Sequence, residues 1–200
     1  MREFEDSPLV KEAGDLWLRA TRAEFLNAIR DGTIPDDAFH RWLVQDYHFA
    51  TGLTIFQAVA LSKAPRPAHK LLIGGLSSLD GELDWFEQKA GEFGLDLESE
   101  RHAVCRRYVD YLIASAYSQP FEVLVAILFG VEAAYLAAWS RLESTGPHAE
   151  FIDRWSNEAF AGYVRGLQDL AARYRHPDQQ SEFNAVLEHE RDFWCMTWGD

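Results

Sequence analysis

Apolar residues recur at steps of three and four along almost the whole chain, and this spacing restricts the possible fold more than any other feature. It gathers apolar side chains on one face of an α-helix, whereas a half-buried strand would show them at every second position. No stretch of sustained alternation occurs. Segments such as DSP at 6–8 and QPFE at 119–122 separate the periodic stretches, because proline can begin a helix but cannot continue one. The sequence therefore predicts an all-α fold.

The proline-containing separators divide the chain into about seven long helices joined by short loops. The expected segments are 8–31, 35–62, 67–93, 98–117, 120–143, 147–174 and 178–198. A helix of about 25 residues is nearly 40 Å long at about 1.5 Å per residue, so several of them must pack side by side as a helical bundle. Because 200 residues suffice for one folded core, we expect a single domain over residues 1–200.

Charge and composition limit the partners and the compartment. The formal net charge is −13, and nucleic acids or anionic membranes bind clustered Lys and Arg, so we expect neither as a partner. The longest apolar run, Val123 to Trp139, is interrupted by Glu132 and is shorter than the roughly 20 residues of a membrane span. The start, MREFEDSPLV, does not resemble a secretory signal, and Cys105 and Cys195 are too few for a disulfide framework. A cytoplasmic location is expected.

Three carboxylates occupy helix positions where leucine would be expected. Asp46 lies on the apolar face of the second predicted helix, Glu132 on that of the fifth and Glu190 on that of the last. An ionised carboxylate in an apolar core costs several kcal/mol unless it is paired, hydrogen-bonded, metal-bound or neutral. Any one of the three is compatible with a structural role. Three together favour a shared polar cavity, where a helical bundle would bind a small molecule.

Aromatic residues near these acids are candidates for lining such a cavity and stacking on a flat heterocycle, although ordinary core packing is the alternative for each. Tyr135 is the strongest candidate, because it follows Glu132 by three residues and shares its helix face. The candidates are Phe49, Tyr108, Tyr111, Tyr135, Trp155 and Trp194.

The motifs of several other kinds of site are missing. A di-iron carboxylate centre needs Glu-x-x-His pairs or similarly spaced inward histidines, and no histidine here follows a glutamate by three residues. The chain contains no GxSxG elbow and no phosphate-binding glycine loop. Cys195, next to Trp194, is predicted to be a small buried side chain. We therefore expect neither a metal nor another cofactor.

Four segments resemble, in order and spacing, the motifs of the TenA family of thiaminase II-like proteins. They are WLVQDYHFATGL, GVEAAYLAAW, WSNEAF and HERDFWCMTW, and the similarity extends over nearly the whole chain. The resemblance implies the haem-oxygenase-like all-α fold, assembly as a homo-oligomer (a dimer or tetramer) and activity without metal or haem. The implied reaction is hydrolysis of thiamin or its degradation products to hydroxymethylpyrimidine, in thiamin salvage.

The resemblance also implies roles for individual residues. Asp46 matches the aspartate that hydrogen-bonds the aminopyrimidine, and Glu190 matches an acid/base glutamate on the last helix. Tyr135 matches the tyrosine that follows the family's nucleophile. Tyr108, with Tyr111 as the alternative, matches a tyrosine of the substrate pocket.

Other positions depart from the family's pattern. Phe49 and Trp155 stand where the family has tyrosines. The catalytic cysteine is absent, and Val131 and Glu132 stand at or beside its place, so the chain resembles the branch that carries glutamate instead. This departure favours action on aminomethyl- or formylaminomethyl-pyrimidine over cleavage of thiamin itself.

The chemistry expected of these residues is a cofactor-independent hydrolysis. A carboxylate at Asp46 matches the donor–acceptor edge of an aminopyrimidine with two hydrogen bonds. Glu132 and Glu190 would activate water and protonate the departing amine, in an order that the sequence leaves open, and Glu132 could also act as a nucleophile. Burial beside negative charge is expected to raise the pKa of at least one of them. Two alternatives stay open, a metal-dependent oxidase of the same fold and a non-catalytic pyrimidine-binding or regulatory protein.

Overall fold

The computed structural model of the protein describes residues 3–198, which form ten α-helices and no β-strand. The helices are α1 (Pro8–Ala13), α2 (Asp15–Thr21), α3 (Glu24–Arg30), α4 (Asp36–Lys63), α5 (His69–Phe93), α6 (Ala103–Ser118), α7 (Phe121–Trp139), α8 (Ala149–Ser156), α9 (Glu158–Arg173) and α10 (Gln179–Trp198). Short 3-10 turns at Glu3–Asp6 and Arg66–Ala68 precede α1 and α5. The all-α prediction is confirmed.

The first predicted segment, 8–31, contains three helices instead of one. Gly14 has a φ of 54°, a conformation that residues with a Cβ rarely adopt, and it separates α1 from α2. Arg22 and Ala23 leave the helical conformation and separate α2 from α3. The apolar spacing runs through both breaks, so periodicity alone did not reveal them.

The predicted segment 147–174 contains two helices, α8 and α9. The side-chain oxygen of Asn157 accepts a hydrogen bond from the backbone N–H of Phe160 at 2.9 Å, and the Asn157 backbone is extended. This arrangement is an N-cap, which begins a new helix. The remaining five segments each match one helix within about five residues at either end.

The described helices belong to two compact units. Unit 1 extends to Ile34 and resumes at Glu122, so it contains α1 to α3 and almost all of α7 to α10. Unit 2 is Pro35–Phe121 and contains α4, α5 and α6. The single domain expected over residues 1–200 stays a prediction.

In unit 1, α7 is the most buried helix. It is long and apolar enough to cross a membrane, with a mean hydropathy of 1.9, but 83% of that stretch is buried inside the protein. Gly130 permits close packing on α10, because a Cβ at this position would lie 3.2 Å from the side chains of Phe183 and Val186. α7 is therefore packed as a core helix of this unit.

In unit 2, α4 and α6 also approach each other closely. A Cβ at Gly52 would lie 2.5 Å from Cγ1 of Val109, so only glycine fits without a shift of that side chain. The ring of Phe49, one turn before Gly52, meets the ring of Tyr108, which is next to Val109, with the two centroids 4.7 Å apart. Asp46 lies one turn before Phe49 on α4.

Candidate functional site

The predicted site residues are divided between the two units. Unit 1 holds Glu132, Tyr135, Trp155, Glu190 and Trp194, and unit 2 holds Asp46, Phe49, Tyr108 and Tyr111.

Glu132 and Tyr135 stand out on α7 by their exposure. From Val123 to Trp139, every residue except these two is buried, and both of them are partly exposed. They are three residues apart and therefore share a helix face. Glu132 and Tyr135 are therefore the positions at which this stretch of the core helix meets solvent. Glu132 was predicted on the inward face of its helix, and its partial exposure differs from the burial of Asp46 and Glu190.

Two of the predicted aromatic residues, Trp155 and Trp194, contact Tyr135. The Trp194 ring stacks on the Tyr135 ring at a centroid distance of 5.6 Å and an interplanar angle of 17°. The Trp155 ring meets Tyr135 edge to face, at 5.4 Å and 89°. Because both tryptophans are buried whereas Tyr135 is partly exposed, they support the tyrosine ring and leave part of it accessible.

Trp194 is itself fixed from two sides. Its indole N–H donates a hydrogen bond of 3.0 Å to the backbone carbonyl of Ala20, at the end of α2. The Phe25 ring of α3 stacks on it with a centroid distance of 5.6 Å. Contacts from α2, α3 and α7 therefore hold the tryptophan in one orientation.

α7 and α10 are parallel, and each carries a carboxylate between the two ring contacts that join the helices. Phe129 stacks on Phe183 at 5.7 Å before Glu132, and Tyr135 stacks on Trp194 after it. Glu190 lies between the corresponding contact residues of α10 and is 3% exposed, one turn before Trp194. Each carboxylate is thus one helical turn from the stacked pair of rings.

α9 contributes a residue that the sequence analysis missed. Burial, assisted by the negative charge of Glu132, raises the pKa of Tyr163 well above its usual range. The Glu132 charge therefore acts on the Tyr163 hydroxyl, which places Tyr163 among the groups that influence this part of unit 1. Tyr163 lies outside the quoted motifs. Its one signal in the sequence is its spacing: it follows Phe160 by three residues and precedes Leu167 by four, which places it on the apolar face of α9.

In unit 2, the polar side chain of Gln45 links α4 to the segment before α6. Gln45 is buried, and its side-chain amide donates to the carbonyl of Glu100 at 3.2 Å. Its side-chain oxygen accepts from the backbone N–H of His102 at 2.8 Å, and its backbone carbonyl accepts from the Cys105 thiol at 3.4 Å. The next residue is Asp46, so these bonds fix the part of α4 that carries this acid.

Asp46 is 4% exposed, which confirms its predicted place on an apolar helix face. Phe49 and Tyr108, both buried and in contact, are brought together on the neighbouring turns. Tyr111 is partly exposed one turn further along α6. The choice between Tyr108 and Tyr111 as the pocket tyrosine stays a prediction.

The two cysteines have different surroundings. Burial raises the pKa of Cys105 to about 12, against a lowering by Arg101 and with a further rise from Asp46, so the thiol is protonated at neutral pH. Cys195 is exposed, and the prediction of a buried side chain is wrong. It adjoins the buried Trp194 in sequence, but adjacent helical residues point about 100° apart, so it faces solvent.

Between residues 3 and 198, no group of three or more His, Cys, Asp or Glu side chains is arranged to hold a metal ion. The donor set that a metal-dependent oxidase would use is thus not assembled within the described chain. That the protein acts without a metal stays a prediction.

Comparisons with known proteins match almost the full length of the chain. A sequence model of the TENA/THI-4/PQQC family matches residues 10–200. A relative from Glycine max, named "Probable bifunctional TENA-E protein", is 31% identical over 204 residues, which cover 92% of this chain and 89% of that protein.

Two solved structures extend the comparison to the fold. A TenA homologue from Pyrococcus furiosus is 29% identical, has a TM-score of 0.85 and aligns over 99% of this chain and 98% of its own. A domain of unknown function with a heme oxygenase-like fold, from Shewanella denitrificans, is 12% identical, has a TM-score of 0.71 and aligns over 94% of this chain and 89% of its own. The predicted haem-oxygenase-like fold is confirmed.

Proposed function

We propose that the chain, which belongs to the TENA/THI-4/PQQC family, is a cofactor-independent aminopyrimidine hydrolase of thiamin salvage. Its proposed substrates are aminomethyl- and formylaminomethyl-pyrimidine, and its product is hydroxymethylpyrimidine. The observation that carries this proposal is the partial exposure of Glu132 and Tyr135 within the otherwise buried stretch Val123–Trp139 of α7, which packs beside the part of α10 that carries Glu190. It supports the proposal that the protein belongs to the branch of the family with glutamate in place of the catalytic cysteine.

The proposed reaction replaces an amine by a hydroxyl group. Water attacks the methylene carbon attached to the pyrimidine, a C–O bond forms and the C–N bond breaks. One carboxylate takes a proton from the water, and a carboxylic acid gives a proton to the departing nitrogen, so that hydroxymethylpyrimidine is released together with ammonia from the aminomethyl substrate or formamide from the formylaminomethyl substrate. Glu132 and Glu190 supply this pair, and each such proton transfer typically contributes about 10²–10⁴-fold to the rate.

The aromatic surroundings of Glu132 suit a flat heterocycle. Tyr135 offers part of its ring to the solvent, and Trp155 and Trp194 hold that ring from behind and from the side. An offset stack on such a ring stabilises an aromatic ligand by about 0.5–1.5 kcal/mol beyond area burial. Stacking on Tyr135 would hold the pyrimidine one helical turn from Glu132.

The recognition role proposed for Asp46 rests on the family resemblance. An aminopyrimidine presents a ring nitrogen beside an exocyclic amine, and a carboxylate can form a pair of hydrogen bonds with that edge when one of the two partners carries the extra proton. The Gln45 hydrogen bonds and the contact between Phe49 and Tyr108 restrain the helix that bears Asp46. Asp46→Asn is therefore expected to raise KM more than it lowers kcat.

The lack of a cysteine at the family's nucleophile position supports salvage intermediates over thiamin as substrates. Val131 and Glu132 stand at or beside that position. Cys105 is held protonated by its raised pKa, and Cys195 faces solvent. Without a cysteine at that position, activation of water by a carboxylate is the course that these residues support.

A substrate panel tests the proposal. The purified protein is incubated with aminomethyl-pyrimidine, formylaminomethyl-pyrimidine or thiamin, and hydroxymethylpyrimidine is measured by chromatography. We expect turnover of at least one of the two pyrimidines and little of thiamin. Absence of turnover with both pyrimidines would contradict the proposal, and tight binding without product would favour a non-catalytic binding protein.

Glu132→Gln is the decisive variant in this panel, because it keeps the size of the side chain and removes its basicity. We expect it to lower kcat by about 100-fold or more. Glu122→Gln is a matched control, since Glu122 lies on the first turn of the same helix and is also partly exposed. Unchanged turnover in Glu132→Gln would contradict the assignment.

The proposed assembly is a homodimer or homotetramer, and the proposed location is the cytoplasm. Both follow from the resemblance and the charge of the chain. Light scattering on the eluting protein measures the assembly directly, and a monomer at working concentration would contradict it.

A further inference from the structure

A cleft in unit 1 lies apart from the proposed catalytic residues. Its volume of about 390 Å³ is within the range of small-molecule sites, which is about 300–1,000 Å³. The residues that line it are Glu5, Trp17, Thr21, Arg22, Ser140 and Arg141. Ser140 follows Glu132 by more than two helical turns, and none of the six residues has a part in the reaction described above. The cleft is therefore a candidate for a separate binding site.

The cleft lies where α2 and α7 end. Arg22 caps the C-terminus of α2, and Arg141 comes two residues after the end of α7. The indole N–H of Trp194 donates to the Ala20 carbonyl at 3.0 Å, and the Trp194 ring meets the Trp139 ring at 6.4 Å. Trp194 thereby joins the ends of the two helices, and each arginine follows by two residues a residue that contacts this tryptophan.

Trp17 and Thr21 give the cleft a fixed wall. Trp17 is 6% exposed, and its ring stacks on Phe183 of α10 at 6.3 Å and meets Phe4 edge to face at 6.5 Å. The buried Thr21 hydroxyl donates to the Trp17 carbonyl at 2.9 Å. These contacts hold one side of the cleft in place before a ligand arrives, and such preorganisation lowers the cost of binding.

The charged side chains of the cleft are two guanidinium groups and one carboxylate, those of Arg22, Arg141 and Glu5. This local excess of positive charge contrasts with the net charge of −13 of the whole chain. Two guanidinium groups supply more N–H donors than one carboxylate has acceptor sites. Guanidinium groups bind phosphate through paired hydrogen bonds, so the donors that Glu5 does not use suit a phosphate group.

Each arginine also has a structural explanation, because a cation near the C-terminal end of a helix is stabilised by the helix dipole. That effect acts on each helix separately and does not require both side chains to line one cleft. The carbonyl groups at these helix ends repel an anion, so the guanidinium groups, and not the backbone, would hold a phosphate. The dipole effect alters stability alone, whereas a phosphate site also alters the affinity for a ligand.

We propose that this cleft binds a phosphate group, held by Arg22 and Arg141 against the wall that Trp17 forms. The group belongs either to inorganic phosphate or to a small organic phosphate, since the volume of the cleft admits both. This inference goes beyond the proposed function and does not depend on it. Glu5 competes with the ligand for the two guanidinium groups, so its carboxylate limits the affinity.

Calorimetric titration with inorganic phosphate and with glycerol 2-phosphate, both at low ionic strength, tests the inference. We expect saturable binding of at least one of them, and Arg22→Gln and Arg141→Gln should each lower the affinity about tenfold or more. Both arginines are exposed, so these changes should leave the fold intact. Tighter binding of the ester would identify an organic phosphate as the occupant, and tighter binding of inorganic phosphate would identify the free ion.

Two further variants complete the titration. Glu5→Gln should raise the affinity, because it removes the competing negative charge. Arg19→Gln is the matched control, since Arg19 is exposed on the same helix as Trp17 but lies outside the lining of the cleft, and it should leave the affinity unchanged. Absence of saturable binding, equal affinity in the unaltered protein and the arginine variants, or an equal loss in Arg19→Gln would overturn the inference.

A second measurement locates the ligand. The indole N–H resonance of Trp17, identified by its loss in Trp17→Phe, should shift as inorganic phosphate or glycerol 2-phosphate is added. This shift should be absent in the double variant Arg22→Gln, Arg141→Gln. A shift of equal size in all tryptophan signals, or one that persists in the double variant, would contradict binding in this cleft.

Discussion

Units 1 and 2 each bury carboxylates on apolar helix faces, but they restrain them in different ways. In unit 1, the helices that carry Glu132 and Glu190 are joined by stacked aromatic rings, chiefly those of Tyr135 and Trp194. In unit 2, the helix that carries Asp46 is tied by hydrogen bonds of Gln45. A carboxylate can therefore be positioned by apolar packing of its helix or by hydrogen bonds of a neighbouring residue. Substitutions in the two units should therefore have different effects on stability and activity.

The largest expected effect is the loss of the aromatic support in unit 1. Trp194→Ala removes a buried ring that contacts Tyr135 and Phe25 and leaves the Ala20 carbonyl without its donor. The free energy of unfolding should fall by about 3–5 kcal/mol, as for other large-to-small changes in cores. Denaturant unfolding measures this loss.

Trp198→Ala is the control for this prediction, because Trp198 lies one turn further along α10 and is exposed. It should change the free energy of unfolding by about 0.5 kcal/mol or less. Equal losses in both variants would mean that the stack on Tyr135 contributes little, and the contrast between the units would break down.

A smaller effect is expected from loss of the polar clamp in unit 2, the side-chain hydrogen bonds of Gln45 to the Glu100 carbonyl and the His102 N–H. Gln45→Met keeps the volume of the side chain but leaves the Glu100 carbonyl and the His102 N–H without their partner. The free energy of unfolding should fall by about 1–3 kcal/mol, the usual cost of stranded polar groups. Gln88→Met, at an exposed position of α5, should be nearly neutral.

The clamp should also affect function in a way that the aromatic stack does not. If Gln45 fixes the part of α4 that carries Asp46, Gln45→Met should raise KM for the pyrimidine before it lowers kcat. A stable variant with unchanged KM would show that the clamp serves the fold alone.

The two cysteines allow a labelling test in which the fold is retained. Cys195 is exposed, whereas Cys105 is buried with a pKa of about 12. At pH 8 a thiol reagent should therefore label one cysteine in the folded protein and both in denaturant. Labelling of both at equal rates in the folded protein would contradict the buried environment next to Asp46.

Cys105 also predicts an effect on the pH dependence of stability. The folded state holds its proton more tightly than the unfolded chain, in which the pKa is near 9.0. The contribution is therefore complete below pH 9 and is lost as the pH rises toward 12. Cys105→Ala should flatten the fall of unfolding free energy in this range, and an identical slope in both proteins would contradict the shift.

Helix positions were more predictable from sequence than helix breaks. The three- and four-residue steps predicted Asp46, Glu132 and Glu190 on inward faces, because burial of a helix stripe imposes that period. The same steps continue through Gly14 and Asn157, where a positive φ and a side-chain cap interrupt the backbone. Periodicity reports which side chains face inward, and it carries little information on local backbone geometry.

The parts of the site that were missed depend on contacts distant in sequence. Tyr163 is 31 residues after Glu132, and the spacing of the sequence gives no sign that the Glu132 charge acts on its hydroxyl. The Gln45 bonds join residues 55 and 57 positions apart, which no local pattern records. Cys195 was placed wrongly because its neighbour Trp194 is buried, although adjacent helical residues point in different directions.

The central claim is that the carboxylates of α7 and α10 act as one catalytic pair, and the most direct test is the turnover of aminomethyl-pyrimidine by Glu132→Gln, Glu190→Gln and the double variant. We predict that each single change lowers kcat by about 100-fold or more, and that the double variant is hardly slower than the slower single one, because groups that act as a unit have non-additive effects. Wild-type kcat in either single variant, or losses that simply multiply in the double variant, would contradict it.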